Sequence, residues 1–219
     1  MAYGLYEVLP DKIYQVRGCD LANMTIIKGQ TGWILFDVLT CKETAQAAID
    51  FVNQQLGERP VVAVVYSHSH VDHFGGVRGV ISEEEVKAGK VRVLTPADFM
   101  KHAIAENVYT GTAMTRRAFY QYGLLLPRSP YGHVDQSIRK NTAVGKVGLI
   151  EPSCSIGKDI EELTIDGVRM VFQNTPGTEA PAEMNTYFPD WKAFWAAENI
   201  FGTIPLTAGL VGATIAFKK

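Results

Sequence analysis

The sequence predicts a mixed α/β (α+β) fold: two packed β-sheets with helices outside them. Three observations carry this. A strand meander, a helix, a buried strand with its loop, and a second meander follow one another, an order that suits layered packing. The run Arg59 to Ser67 (RPVVAVVYS) is continuously apolar and β-branched, as a fully buried strand requires. Finally, Leu163 to Gln173 (LTIDGVRMVFQ) places two β-rich runs around Asp166-Gly167, a pair that favours tight hairpin turns.

The elements follow in order. Lys12 to Arg17, Met24 to Lys28 and Trp33 to Phe36 are short apolar or alternating runs separated by Gly and polar residues, which predicts an antiparallel meander. Thr44 to Leu56 spaces Ala47, Ile49, Phe51, Val52 and Leu56 for a helix, with Gly57 as the stop. Val91 to Thr95 reads as a strand and Asp98 to Glu106 as a helix. Tyr109 to Tyr122 reads as a helix whose Met114, Phe119, Tyr120 and Tyr122 form a core face, with Arg116 and Arg117 in solvent. Pro127 to Gln136 reads as a loop with His133 exposed. Asn185 to Phe188 and Ala193 to Ala197 form a second antiparallel pair around Pro189-Asp190.

Composition sets outer bounds. A chain of 219 residues allows one domain with at most a small appendage. A net charge of −2 with dispersed Lys and Arg gives no basic face for nucleic acid and no electrostatic membrane anchor. Cys19, Cys41 and Cys154 are far apart and odd in number, which fits free thiols rather than a disulfide framework. The opening MAYGLYEVLPDK has neither the basic nor the apolar region of a secretory signal peptide.

The chemistry concentrates in Tyr66 to Gly76, YSHSHVDHFGG. Three of the five histidines and one aspartate, His68, His70, Asp72 and His73, stand within six residues. Imidazole and carboxylate suit zinc and related divalent ions. His68 and His70 are two apart and can face one way from an extended loop. Asp72 and His73 follow where Gly75 and Gly76 are expected to let the chain turn. The loop directly follows the buried strand, a common place for metal and catalytic groups. One loop can thus offer two ligands to each of two neighbouring ions.

Further along, Thr175-Pro176-Gly177-Thr178-Glu179 stands about a hundred residues after the loop. Together the strand, the loop and this TPG turn resemble the metallo-β-lactamase superfamily, whose turn usually supplies a histidine. Here it supplies Glu179 instead. HSHVDHFGGVRGV, GTAMTRRAFYQYG, TPGTEAPAEMN and AEN together are similar to the linear (SDS-type) alkylsulfatases, in which glutamates take the third and fourth ligand positions. The resemblance runs from about residue 4 to residue 199. It implies an αββα sandwich and hydrolysis of linear alkyl sulfate esters to alcohol and inorganic sulfate. It implies two zinc ions, one held by His68, His70 and Glu179, the other by Asp72 and His73, with Glu198 bridging. Catalysis would rest on a metal-bound water, with Asp72 as the ligand that orients it. Arg116, Arg117, Tyr120 and Tyr122 are the candidates for contacting the sulfate and alkyl parts of a small-molecule alkyl sulfate. Another hydrolase of the same fold, a thioesterase or lactonase, and a non-catalytic metal-binding fragment are the alternatives.

Against the family pattern, the chain divides into a partial catalytic domain at 1–199 and a divergent apolar tail at 200–219. The tail contains no His, Arg, Asp or Glu. The family's further C-terminal ligand, its dimerisation region and its leader are therefore expected to be missing. The sandwich is expected to be incomplete at its C-terminal side, the second ion more weakly held and the activity impaired. The tail reads as a replaced end, as a core strand and helix, or, at only 18 uncharged residues, as a poor membrane segment.

Overall fold

The structure is a computed structural model and describes residues 3–135, 140–199 and 215–217. The first sheet opens with an antiparallel meander of β1 (Gly4–Leu9), β2 (Ile13–Arg17), β3 (Met24–Lys28) and β4 (Trp33–Phe36). It continues in parallel through β5 (Val61–Val65), β6 (Arg92–Pro96) and β7 (Cys154–Ile156), in the order β1-β2-β3-β4-β5-β6-β7. The second sheet is antiparallel throughout: β8 (Ile160–Ile165), β9 (Val168–Asn174), β10 (Met184–Phe188), β11 (Ala193–Trp195) and β12 (Ile215–Phe217).

Side-chain alternation along β4 and β5 explains why both read as continuously apolar. Trp33, Leu35 and Val64 enter one core, which α1 (Lys42–Leu56) covers through Ala45, Ala48, Ile49 and Val52. Ile34, Phe36, Ala63 and Val65 enter a second core between the sheets, opposite Met170, Phe172, Met184, Phe188 and Trp195. Phe36 packs its ring edge-on to Trp195, with centroids 4.9 Å apart. A strand buried on both faces has no polar face to display. By contrast β9 keeps its alternation, with Val168, Met170 and Phe172 inward and Arg169 and Gln173 outward.

The short helices α2 (Val71–Phe74), α3 (Glu83–Lys87) and α4 (Phe99–Ile104) follow β5 and β6. Among the described residues, every α-helical side chain in either core belongs to the first cluster. Two packed sheets with helices outside them are the mixed α/β sandwich that the sequence predicts. Three expectations need correction. The helix that begins at Phe99 ends its α-form at Ile104 and widens into a π-helical turn over Ala105–Tyr109. The next helix, α5 (Gly111–Tyr122), buries none of its residues, so Met114, Phe119, Tyr120 and Tyr122 are not a core face. His133 is half-buried rather than exposed, with its Nε2 atom enclosed.

All three cysteines are free thiols. No helix of the described residues is long and apolar enough to cross a membrane. Of the region beginning at residue 200, only Ile215–Phe217 is described. Its backbone pairs with β11. The readings of 200–214 and 218–219 lie outside the described residues.

Candidate metal centre

Strand β5 ends at Val65, and the histidine loop leaves from its C-terminal end. The loop is held by Asp37, which follows β4 in a left-handed conformation (φ 57°) that Asp tolerates better than most residues. Asp37 is buried. Its carboxylate accepts hydrogen bonds from the Ser67 backbone N–H (2.8 Å) and from Ser67 Oγ (2.8 Å), and it meets His73 Nδ1 at 2.7 Å. Ser67 Oγ also contacts His68 Nδ1 at 2.8 Å. Since Ser67 Oγ donates to Asp37, it accepts from His68. One buried carboxylate thereby holds a proton on Nδ1 of both His68 and His73, so that each ring, when neutral, turns its Nε2 lone pair toward the cluster. Histidines that ligate metals commonly owe their tautomer and orientation to such a partner.

Gly75 and Gly76 act differently from the turn-forming role expected of them. Both φ angles are negative, at −61° and −85°. What they permit is close approach. A Cβ on Gly76 would sit 2.1 Å from the Val38 carbonyl oxygen, and one on Gly75 2.2 Å from that of Thr40. The loop backbone therefore lies directly on the segment after β4.

Two carboxylates converge on the facing nitrogens of the first two histidines. His68 Nε2 and His70 Nδ1 are 3.1 Å apart. Glu179 Oε2 lies 3.4 Å from His68 Nε2 and 3.1 Å from His70 Nδ1. Glu198 Oε2 lies 3.8 Å from His68 Nε2. A second group forms around His73 Nε2, which is 3.3 Å from Asp72 Oδ2 and 3.4 Å from Glu198 Oε1. Glu198 thus turns one oxygen toward each group. Glu179 stands in the turn between β9 and β10, and Glu198 just beyond β11, so the second sheet supplies both acids. In each group the ligand atoms lie within 4.8 Å of one another.

The electrostatics reflect this crowding. His68 is held well below the ordinary imidazole range by burial and then by the neighbouring His73 and His70. Burial works against protonation of His70 as well, but Glu179, Glu106 and Asp72 overcome it and raise its pKa to about 9. His73 is likewise raised against burial by Asp72, Asp37 and Glu198. Two buried atoms in the cluster, His73 Nε2 and Glu198 Oε1, have no hydrogen-bond partner. A divalent cation would satisfy both, and the donor set of imidazole and carboxylate is that of zinc and similar ions. The residues present therefore fit a metal.

The other candidates lie elsewhere. Tyr122 is half-buried, and burial, followed by the charges of Asp72, Glu198 and Glu179, raises its hydroxyl pKa. Arg116 and Arg117 are exposed, Tyr120 is 88 % exposed, and none of the three makes an ion pair or hydrogen bond to the cluster among the described residues. Three acids that sequence reasoning did not single out also matter here. Asp37 is one. Glu106, on the π-helical turn, brings its carboxylate to 3.8 Å from His70 Nε2. Glu183, the last acid of TPGTEAPAE, bonds into the turn that carries Glu179. An Asp directly after an apolar strand was the available signal for Asp37. The sequence carries no comparable signal for Glu106.

A β-sandwich with imidazoles and carboxylates gathered at one end in two groups defines a class of protein suited to binding divalent metals. Within that class the chain belongs to the metallo-β-lactamase superfamily, whose sequence model matches residues 17–162. It is 52% identical over 197 residues to an (R)-specific secondary-alkylsulfatase of a Pseudomonas species, covering 90% of this chain and 30% of the relative. It is 50% identical over 212 residues to a linear primary-alkylsulfatase, also of a Pseudomonas species, covering 97% of this chain and 31% of that one. The solved structure of the stereoselective inverting sec-alkylsulfatase Pisa1 from Pseudomonas superposes with a TM-score of 0.83 at 53% identity. That match covers 87% of this chain and 30% of that chain. The chain therefore spans about a third of the length of the curated relatives it matches.

Proposed function

We propose that this chain carries the metal-binding part of an alkylsulfatase, acting on alkyl sulfate esters to give an alcohol and inorganic sulfate. The observation that carries the reading is Glu198, whose two oxygens face two separate imidazole–carboxylate groups. His68, His70 and Glu179 would hold one zinc ion, and Asp72 and His73 a second, with Glu198 shared. Two such ions, when bound, lower the pKa of a water and offset the charge of an anionic ester. The remaining work falls to the chain itself. Asp37 holds the Nδ1 proton, directly at His73 and through Ser67 at His68, so that the neutral rings would offer Nε2 to the ions. Asp72, 3.3 Å from His73 Nε2, would ligate and orient. Tyr122, half-buried and within the field of Asp72, Glu198 and Glu179, is the candidate for contacting substrate. Beside Glu179 and Glu198 lies an open cavity of about 460 Å³, also lined by Thr175, Thr178, Asn185 and Asn199.

The similarity to named alkylsulfatases supports the ester class. A primary and a secondary alkylsulfatase match almost equally well, at 50% and 52%, so the reading covers both alkyl classes. Incubating the zinc-loaded chain with dodecyl sulfate and with a secondary alkyl sulfate, and measuring inorganic sulfate, tests it. Sulfate release that chelation abolishes is the expected result. Hydrolysis of a thioester or lactone without any sulfate release would contradict it.

A further inference from the structure

The buried acid Glu183 is not among the ligand candidates, yet it sits at the junction of both segments that supply them. Its side chain is fully buried. Its Oε2 accepts hydrogen bonds from the backbone amides of Glu179 (3.1 Å) and Ala180 (3.0 Å). Thr178 Oγ1, which also donates to the Thr175 carbonyl, lies 3.1 Å from the same oxygen. Its backbone carbonyl accepts from the Thr175 amide at 2.8 Å, so the turn 175–180 is tied at both ends to one residue. The Glu183 backbone also pairs with His68 in an isolated antiparallel bridge, and the next amide, Met184, donates to the Ser67 carbonyl at 3.0 Å. Hiding a carboxylate from water is costly unless it is hydrogen-bonded. Here its hydrogen bonds go to the turn that presents Glu179, and the backbone amide of Glu198 also acts on the carboxylate.

We infer that Glu183 is a positioning residue that sets the Glu179 carboxylate against His68 and His70. The inference rests on the reading that this group holds a metal. What it requires is a side-chain oxygen at the full length of a glutamate, since the amides of residues 179 and 180 converge on that point. Charge is secondary. A glutamine can present the same oxygen to the amides of residues 179 and 180. An aspartate keeps the charge but falls short by one methylene.

Zinc affinity of the whole chain, measured by competition with a chromophoric chelator, separates these cases. Thermal unfolding of each metal-free variant checks that the fold persists. Glu183→Asp is expected to weaken the tightest zinc by about tenfold or more, the range seen when supports of metal ligands are removed. Glu183→Gln is expected to stay within about threefold of the unaltered chain, because the two amide hydrogen bonds survive. Affinity in Glu183→Asp equal to that of the unaltered chain would overturn the inference, as would an equal loss in Glu183→Gln. Absence of zinc binding by the unaltered chain would overturn the metal reading itself, and this inference with it.

Discussion

At the scale of single residues, the centre depends on where protons sit. His70, with a pKa of about 9 in the metal-free fold against an ordinary 6.5, gains charge-dependent stability from Glu179, Glu106 and Asp72. That contribution is fully present below about pH 6.5 and is lost as the pH rises through about 9. Metal needs the neutral ring, so zinc affinity is expected to rise over the same window. Binding near pH 7 should release protons, which calorimetry in two buffers of different ionisation enthalpy would detect. Asp37 is the second test at this scale. Alanine there removes the acceptor for two buried Ser67 donors and for His73 Nδ1. At about 1–3 kcal/mol for each buried group left unsatisfied, a loss of roughly 3 kcal/mol or more is expected. Thermal unfolding would register this as a Tm lower by roughly 6–12 °C.

At the scale of elements, close backbone approach and turn chemistry decide the outcome. Gly76→Ala forces a methyl group against the Val38 carbonyl and the Ala45 side chain. Overpacking of this kind costs about 1–3 kcal/mol, and it should displace the histidine loop. The expected outcome is a lower Tm together with weaker metal binding, whereas a purely local cost would lower Tm alone. The β8–β9 hairpin carries a second device. Asp166 accepts from the amides of Thr31 (2.8 Å) and Gly32 (2.9 Å) and from Thr31 Oγ1 (2.8 Å), pinning the second sheet to the β3–β4 turn of the first. Burial works against its charge, but those amides hold its pKa below the usual carboxylate value. Its stabilisation is present above the unfolded-state pKa and is lost as the pH falls through the folded value. Asp166→Ala should cost about 1.5–3 kcal/mol at neutral pH and less in acid, as denaturant titration would show.

These elements also mark how far the sequence could be read. β3 and β4 begin and end where their apolar runs do, and the Asp166-Gly167 hairpin stands where its turn pair placed it. In such segments one local signal and the tertiary environment agree. β1 was missed because it is an edge strand that is only partly buried, and β7 because three residues are too few for a pattern. The π-helical turn at Ala105–Tyr109 has no sequence signal of its own. The helix over Gly111–Tyr122 has apolar residues that suggested a core face, but the described fold buries none of them fully. Among the site candidates, those adjacent in sequence formed a pattern in themselves. Glu106 and Glu183 acquire their positions only through tertiary contacts.

On the scale of the whole molecule, two cores and one end of the sandwich account for the arrangement. The first sheet supplies the three histidines and Asp72 from a strand buried on both faces. The second sheet supplies Glu179 and Glu198 from its turns. The inter-sheet core, with Phe36 against Phe188 and Trp195, fixes the distance between those two sources. The central claim is that they meet as two metal-binding groups sharing Glu198. The most direct test is zinc stoichiometry of the purified, reloaded chain, measured by elemental analysis beside His70→Ala and His73→Ala. The account predicts two zinc ions per chain, the more weakly held one lost first on mild chelation. His70→Ala should lose the tighter ion and His73→Ala the weaker one. A chain that never retains more than trace metal would contradict it, as would a single ion that both variants remove alike.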